Sequence, residues 1–161
     1  MHRYIAAFFM VCLAVLVPIA GCSQNAVVPP DNTDNGVETS ELTFERLFAE
    51  PEQYNGKEIT LEGFCFYGFE VMVLAEKLEY SGYAPGHLVP KGRMIWIEGG
   101  IPEEVYNELY EQRMMNPLEN YGKVGMTGRF EYGSHYGHLG GYSSQIVPTE
   151  VVLLPWSPPA E

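Results

Sequence analysis

The sequence predicts a small, mainly β domain carried behind a membrane address, and three observations predict it. An apolar run at the N-terminus ends in a cysteine, short stretches of alternating apolar and polar residues recur between positions 58 and 154, and 17 glycines with 12 prolines punctuate them. A chain of 161 residues holds one domain with appendages and has no room for separate catalytic and cofactor domains. Its 21 acidic residues against 9 basic ones give a net charge of −12, a body that repels phosphate backbones.

The address comes first. Met1, His2 and Arg3 form a short basic start, and Tyr4 to Ala20 is apolar throughout apart from Pro18. Seventeen residues fall just below a bilayer span, and a proline before small residues ends a helix and leaves extended chain for a peptidase. Ile19, Ala20, Gly21 and Cys22 follow, in the pattern of a bacterial-type lipobox. That pattern implies cleavage after residue 21, acylation of Cys22 and a mature protein held on a membrane through two or more acyl chains. The expected location is the cell envelope, outside the cytoplasm. Ser23 points to the outer membrane if the host has one.

Residues 22–40 are rich in Ser, Asn, Asp, Thr, Gly and Pro, a composition that cannot bury enough surface to fold and predicts a flexible spacer. The folded domain is expected over 41–155, with a proline-rich tail, 156–161, that frays. Cys12 lies in the apolar run and Cys22 is consumed by lipid, which leaves Cys65 among Phe64, Phe66 and Tyr67 as a buried, inert thiol.

Within the domain, Thr43 predicts the cap of a short helix over 44–50, with Phe44, Leu47 and Phe48 on one face and Pro51 ending it. Residues 58–66 alternate, Ile59, Leu61, Gly63 and Cys65 facing one way and Thr60, Glu62, Phe64 and Phe66 the other; Gly63 predicts a bulge or tight bend. Further strands are expected over 69–74 and 94–98, separated by a long connection, 75–92, that carries Tyr80, Tyr83 and His87 and either covers a site or is disordered. Pro102 with Glu103 and Glu104 starts a helix that runs to Arg113, with Val105 and Leu109 inward and Glu104, Glu108 and Glu111 solvated. The last two strands are expected over 123–131, with Val124, Met126, Gly128 and Phe130 inward, and 144–154, where Pro148 requires an edge or a bulge.

Strand, strand, strand, helix, strand, strand after a short leading helix is the order of the five-stranded OB-like barrel, in which the first and fourth strands pair. From residue 48 to 154 the chain resembles a loose group of small OB-like bacterial and archaeal proteins, many of them lipoproteins of unknown function. The shared features are Pro51-Glu52-Gln53-Tyr54-Asn55-Gly56-Lys57, Ile95-Trp96, Gly122-Lys123-Val124 and Gly137-His138-Leu139-Gly140-Gly141-Tyr142-Ser143. The fourth strand departs from the group in having Gly125-Met126 where valines are usual. The resemblance implies the fold and carries no activity with it.

In that fold the connection from Tyr132 to Tyr142 frames the usual ligand face. Its glycines allow close backbone approach and its aromatic residues offer flat amphipathic surfaces for sugars, peptides or bases, which makes Tyr132, His135, Tyr136, His138 and Tyr142, with His87, the candidate ligand-binding residues. A structural role, with glycines serving turns and His138 bonding loop carbonyls, is the alternative. His135 and His138 lack a Cys or Glu pattern that would make them a metal site, and nothing in the sequence requires a cofactor. There is no phosphate-binding glycine loop, nucleophile elbow or Cys-x-x-Cys pair. The expected function is a non-enzymatic binding or assembly module of the envelope that meets another envelope protein, a peptide or a glycan. A metal-dependent or hydrolytic enzyme using His87, His135 and His138 is the competing class. Nucleic-acid binding through the OB-like fold is the third option, and the charge argues against it: past Arg3 only eight basic residues face 21 acidic ones, a net −13, so no nucleic-acid partner is expected.

Overall fold

The computed structural model describes residues 41–113 and 118–160; the lipobox, Cys22, the spacer and Asn116-Pro117 lie outside the described residues. Two short helices lead, α1 (Phe44–Ala49) and α2 (Pro51–Tyr54). The Thr43 hydroxyl accepts the Arg46 amide at 3.2 Å, as a cap should, and Phe44 and Leu47 are buried. Pro51 does more than end α1. It is the first residue of α2, where its missing N–H costs nothing.

The rest is β-rich: β1 (Glu58–Gly68), β2 (Val71–Tyr80), β3 (Leu88–Ile97), a helical turn α3 (Glu103–Tyr106), β4 (Tyr110–Gln112), β5 (Glu119–Tyr136) and β6 (Tyr142–Leu153). The six strands form one mixed sheet in the order β1-β2-β3-β6-β5-β4, and β5 pairs with β1 as well, so five strands close into a hydrogen-bonded ring with β4 on its margin. β3 and β6 run parallel and the other pairs antiparallel. The pairing expected between the strands entered at Lys57 and Lys123 is present, from Glu58 opposite Arg129 to Tyr67 opposite Asn120.

Alternation sorts the side chains of this ring into two apolar layers. Ile59, Leu61 and Cys65 of β1 join Leu74, Ile95, Ile97, Val124, Met126, Phe130 and Ile146 in the main core, which α1 covers with Phe44 and Leu47. On the other face Phe66, Val73, Ala75, Leu88 and Tyr121 form a second cluster, with Trp96, Tyr142 and Trp156 against it. Burial pushes the Cys65 thiol far up, so it stays a neutral core side chain. Gly63 makes no bulge, since the β1–β5 register runs unbroken through it. A Cβ there would come within 2.9 Å of both the Ala75 carbonyl and the Phe44 ring, so the glycine makes room for α1. At Pro148 the expected irregularity is present: the β5–β6 register shifts between Thr127 and Gly128, and Gly128 faces Pro148.

Four stretches differ from expectation, each because tertiary pairing outweighs the local pattern. Most of the supposed connection 75–92 is hairpin. β2 runs to Tyr80 and β3 begins at Leu88, leaving only residues 81–87 between them. Lys77, Glu79 and Lys91 are exposed, so this arm shows no apolar period, and a register shift between Ala75 and Lys77 blurs what alternation remains. At that shift the Glu76 carboxylate accepts from the Arg93 amide at 3.1 Å and the guanidinium at 2.9 Å. The helix expected to reach Arg113 stops at Tyr106, and Tyr110–Gln112 instead pairs with Tyr121, Asn120 and Glu119 of β5. β5 extends to Tyr136, so most of the supposed loop 132–142 is strand, with five residues left to turn. The tail does not fray at its start: Trp156 packs on Phe64, Tyr110 and Tyr121.

Candidate functional site

The sequence-predicted residues separate into two places, one at each end of β5. At its far end β5 and β6 lose register between Tyr132, opposite Ser144, and Tyr136, opposite Tyr142. Three residues of β5, Gly133, Ser134 and His135, face a single intervening residue of β6, Ser143. A bulge of this size turns side chains out of the ladder and opens space beside it. Here it opens a shallow cleft of about 410 Å³ lined by Tyr132, Gly133, Ser134, His135, Gly140, Gly141, Tyr142 and Ser143.

Three expected residues, Tyr132, His135 and Tyr142, therefore line one cleft. Tyr142 is backed by Trp96, ring centroids 5.4 Å apart, and burial raises the Tyr142 phenol above its ordinary value, keeping it a neutral hydrogen-bond donor. Tyr132 stacks on Phe130 of the core. The Tyr132 amide donates to the Asn55 side chain at 2.9 Å, which ties the cleft to the turn after α2. Tyr136 closes the ladder against Tyr142 and does not line the cleft. His138 leaves it too, with Nε2 3.2 Å from a carboxylate oxygen of Glu70 in the β1–β2 turn. Ser134 and Ser143 also line the cleft, and no local sequence signal marks them, because the unequal strand lengths that create the bulge become visible only once β5 and β6 are paired.

His87 lies at the other end of β5. It is 5% exposed, with Nδ1 2.8 Å from the Ser81 hydroxyl and Nε2 2.8 Å from a carboxylate oxygen of Glu119. The same oxygen accepts the Gln112 amide at 2.8 Å, and Gln112 also bonds both the amide and the carbonyl of Leu88. Ser81 in turn accepts the Tyr83 amide at 3.1 Å. Every member of this cluster is partnered, and together they fasten the β2–β3 turn to β4 and to the start of β5. The conversion of 110–112 from helix to strand brings Gln112 here.

Glu104, Glu108 and Glu111 are exposed, as expected of a solvated face. No three His, Cys, Asp or Glu side chains among the described residues are placed to hold a metal ion. No described helix is long and apolar enough to cross a membrane, which has no bearing on a lipid anchor. Comparison with known proteins found no matching family model, curated relative or solved structure.

Proposed function

We propose that the chain is a lipid-anchored envelope protein whose ring of strands is an OB-like barrel and whose β5–β6 cleft binds a peptide or glycan without chemistry of its own. The observation that carries the binding reading is the cleft itself. Tyr132 and Tyr142 offer aromatic surface, Ser134, His135 and Ser143 offer hydrogen-bonding groups, and core and strand contacts hold the two tyrosines in place. The lipobox residues 19–22 support the anchor, and the acidic body, repelled by an anionic bilayer, fits a domain held off the surface by its spacer.

Crosslinking from a photoreactive residue at position 134 in the native membrane, read by mass spectrometry, tests the cleft. Adducts to an envelope protein or glycan that vanish with Tyr142→Ala support it; adducts indifferent to that change defeat it. For the anchor, a Cys22→Ser chain that is still cleaved and membrane-bound would defeat lipidation.

A hydrolytic reading is favoured by one observation, the Ser81–His87–Glu119 chain of hydrogen bonds, which has the polarity of a nucleophile, base and carboxylate. Burial of His87, 5% exposed, weighs against it, as does the Gln112 amide sharing the Glu119 oxygen that His87 meets. A fluorophosphonate probe that labels wild type but not Ser81→Ala would establish that reading, and no labelling would remove it.

A further inference from the structure

The outer face of the ring carries a second recognition feature, independent of the β5–β6 cleft. Phe64 of β1, Tyr110 of β4 and Tyr121 of β5 pack on Trp156, ring centroids 5.2, 5.7 and 6.1 Å away, each edge to face, and the two tyrosines stack on each other. Two tyrosine hydroxyls donate to main-chain carbonyls of the same segment: Tyr110 to Trp156 at 3.0 Å, and Tyr80 to Pro159 at 2.7 Å. The Leu154 amide bonds the Lys123 carbonyl, and beyond it the segment belongs to no helix or strand.

This chemistry suits a proline-rich strand. Proline has no N–H, so Pro155, Pro158 and Pro159 leave carbonyls as the main-chain groups in need of partners, and phenolic donors supply them. Prolines also hold the segment extended before it binds, which lowers the ordering cost. Aromatic grooves with hydroxyl donors recognise polyproline-type ligands on this principle. The seat is shallow: Trp156 and Pro158 are partly covered, while Pro155, Ser157, Pro159 and Ala160 are exposed. A cleft of about 410 Å³ between Glu108, Lys123 and Trp156 lies open beside the anchor.

We infer that this aromatic face is a binding groove for an extended, proline-flanked tryptophan segment, filled in cis by residues 155–159, and that its partner in trans is the same segment of a second copy. This chain's own tail is the sequence that demonstrably fits. Residues 155–160 lie outside every helix and strand, so exchanging them between copies breaks no ladder hydrogen bond and leaves the groove unaltered, as a swapped dimer requires. In the isolated chain the tethered tail competes at high effective concentration, so exchange grows with protein concentration.

The test uses the mature chain with Trp156→Ala as receptor and a fluorescent peptide of residues 154–161 as probe, read by anisotropy. Saturable one-to-one binding is expected. A peptide lacking the tryptophan binds at least tenfold more weakly, and Tyr110→Phe in the receptor weakens binding about fivefold, the loss of one hydrogen bond. Intact chains at rising concentration form dimers that Trp156→Ala abolishes. A folded receptor that does not bind, or binds equally well with Tyr110→Phe, overturns the groove. Binding of the peptide by intact chains that stay monomeric at every concentration overturns the second copy and assigns the groove to a proline-rich segment of another protein. A chain ending at Leu154 serves as receptor should Trp156→Ala not fold.

Discussion

The two ends of β5 hold the same kind of residue in opposite circumstances. At the Glu119 end His87 is buried, with both ring nitrogens engaged, inside a cluster that also secures Ser81, Gln112 and the main chain of Leu88. At the Tyr136 end His135 and His138 are exposed, the ladder is broken by a bulge, and the turn contains Leu139 at φ 52°. One end is where the fold spends polar groups on fastening. The other leaves polar and aromatic groups facing solvent, as a binding surface requires.

The largest expected effect breaks the fastened end. Glu119→Ala leaves the buried His87 Nε2 without its partner and removes one of two acceptors from the Gln112 amide, a loss of about 3 kcal/mol in denaturant unfolding. His135→Ala and His138→Ala stay within about 0.5 kcal/mol, because both side chains are exposed and the His138–Glu70 pair is a surface one. Cys65 gives the reporter. Buried and held as a neutral thiol, it reacts with a disulfide reagent only on opening, so Glu119→Ala accelerates labelling and the two histidine variants do not. Equal labelling rates in all three would erase the contrast between the ends.

Next comes the junction of the exposed end with the core. Gly137 sits at φ +69°, and a Cβ on it would stand 2.5 Å from the Trp96 ring and 2.8 Å from Tyr142. Gly137→Ala forces Trp96 and Tyr142 apart and is expected to cost about 2 kcal/mol. Because Tyr142 lines the cleft, crosslinking from position 134 should fall as well, a coupling that no substitution at His87 produces.

Much of this was legible in the residues before pairing. Thr43 as a cap, the alternation of β1 and the inward set Val124, Met126 and Phe130 follow from periodicity and turn chemistry, and the pairing of the Lys57 and Lys123 strands follows from the strand order shared with OB-like barrels. So does the buried state of Cys65. What escaped depends on partners distant in the chain. Tyr110–Gln112 has helical neighbours but finds the free edge of β5. The arm of β2 and β3 is polar on its exposed side, so its hydrogen bonding leaves no apolar signature. Trp156 looked like part of a loose tail because nothing local reveals that Phe64, Tyr110 and Tyr121 converge on it. For the site, the cleft tyrosines and His135 were found from composition, whereas the separation of His87 from them follows from an 18-residue strand expected to be half as long.

A smaller effect concerns Ser144, which is fully buried opposite Tyr132 and follows the cleft residue Ser143, with no hydrogen-bond partner for its hydroxyl among the described residues. A buried orphan hydroxyl costs the free energy of its lost hydration, so Ser144→Ala is expected to stabilise by about 1 kcal/mol in thermal or chemical unfolding. A stabilised variant with unchanged crosslinking assigns the serine to neither end's work; loss of crosslinking makes it the polar floor of the cleft.

The smallest effect separates backbone strain from recognition at the tip. Leu139 is 92% exposed and left-handed, a conformation that costs a non-glycine residue about 1 kcal/mol. Leu139→Gly relieves that strain, but glycine adds unfolded-state entropy worth about 0.5–1 kcal/mol, so the net stability change is within about 0.5 kcal/mol of zero. An exposed leucine contributes no burial in the free protein, and its value must therefore come from a partner if it has one. Unchanged stability with weakened crosslinking at position 134 would extend the binding surface from the cleft to the tip. Unchanged crosslinking would confine recognition to the bulge and its two tyrosines.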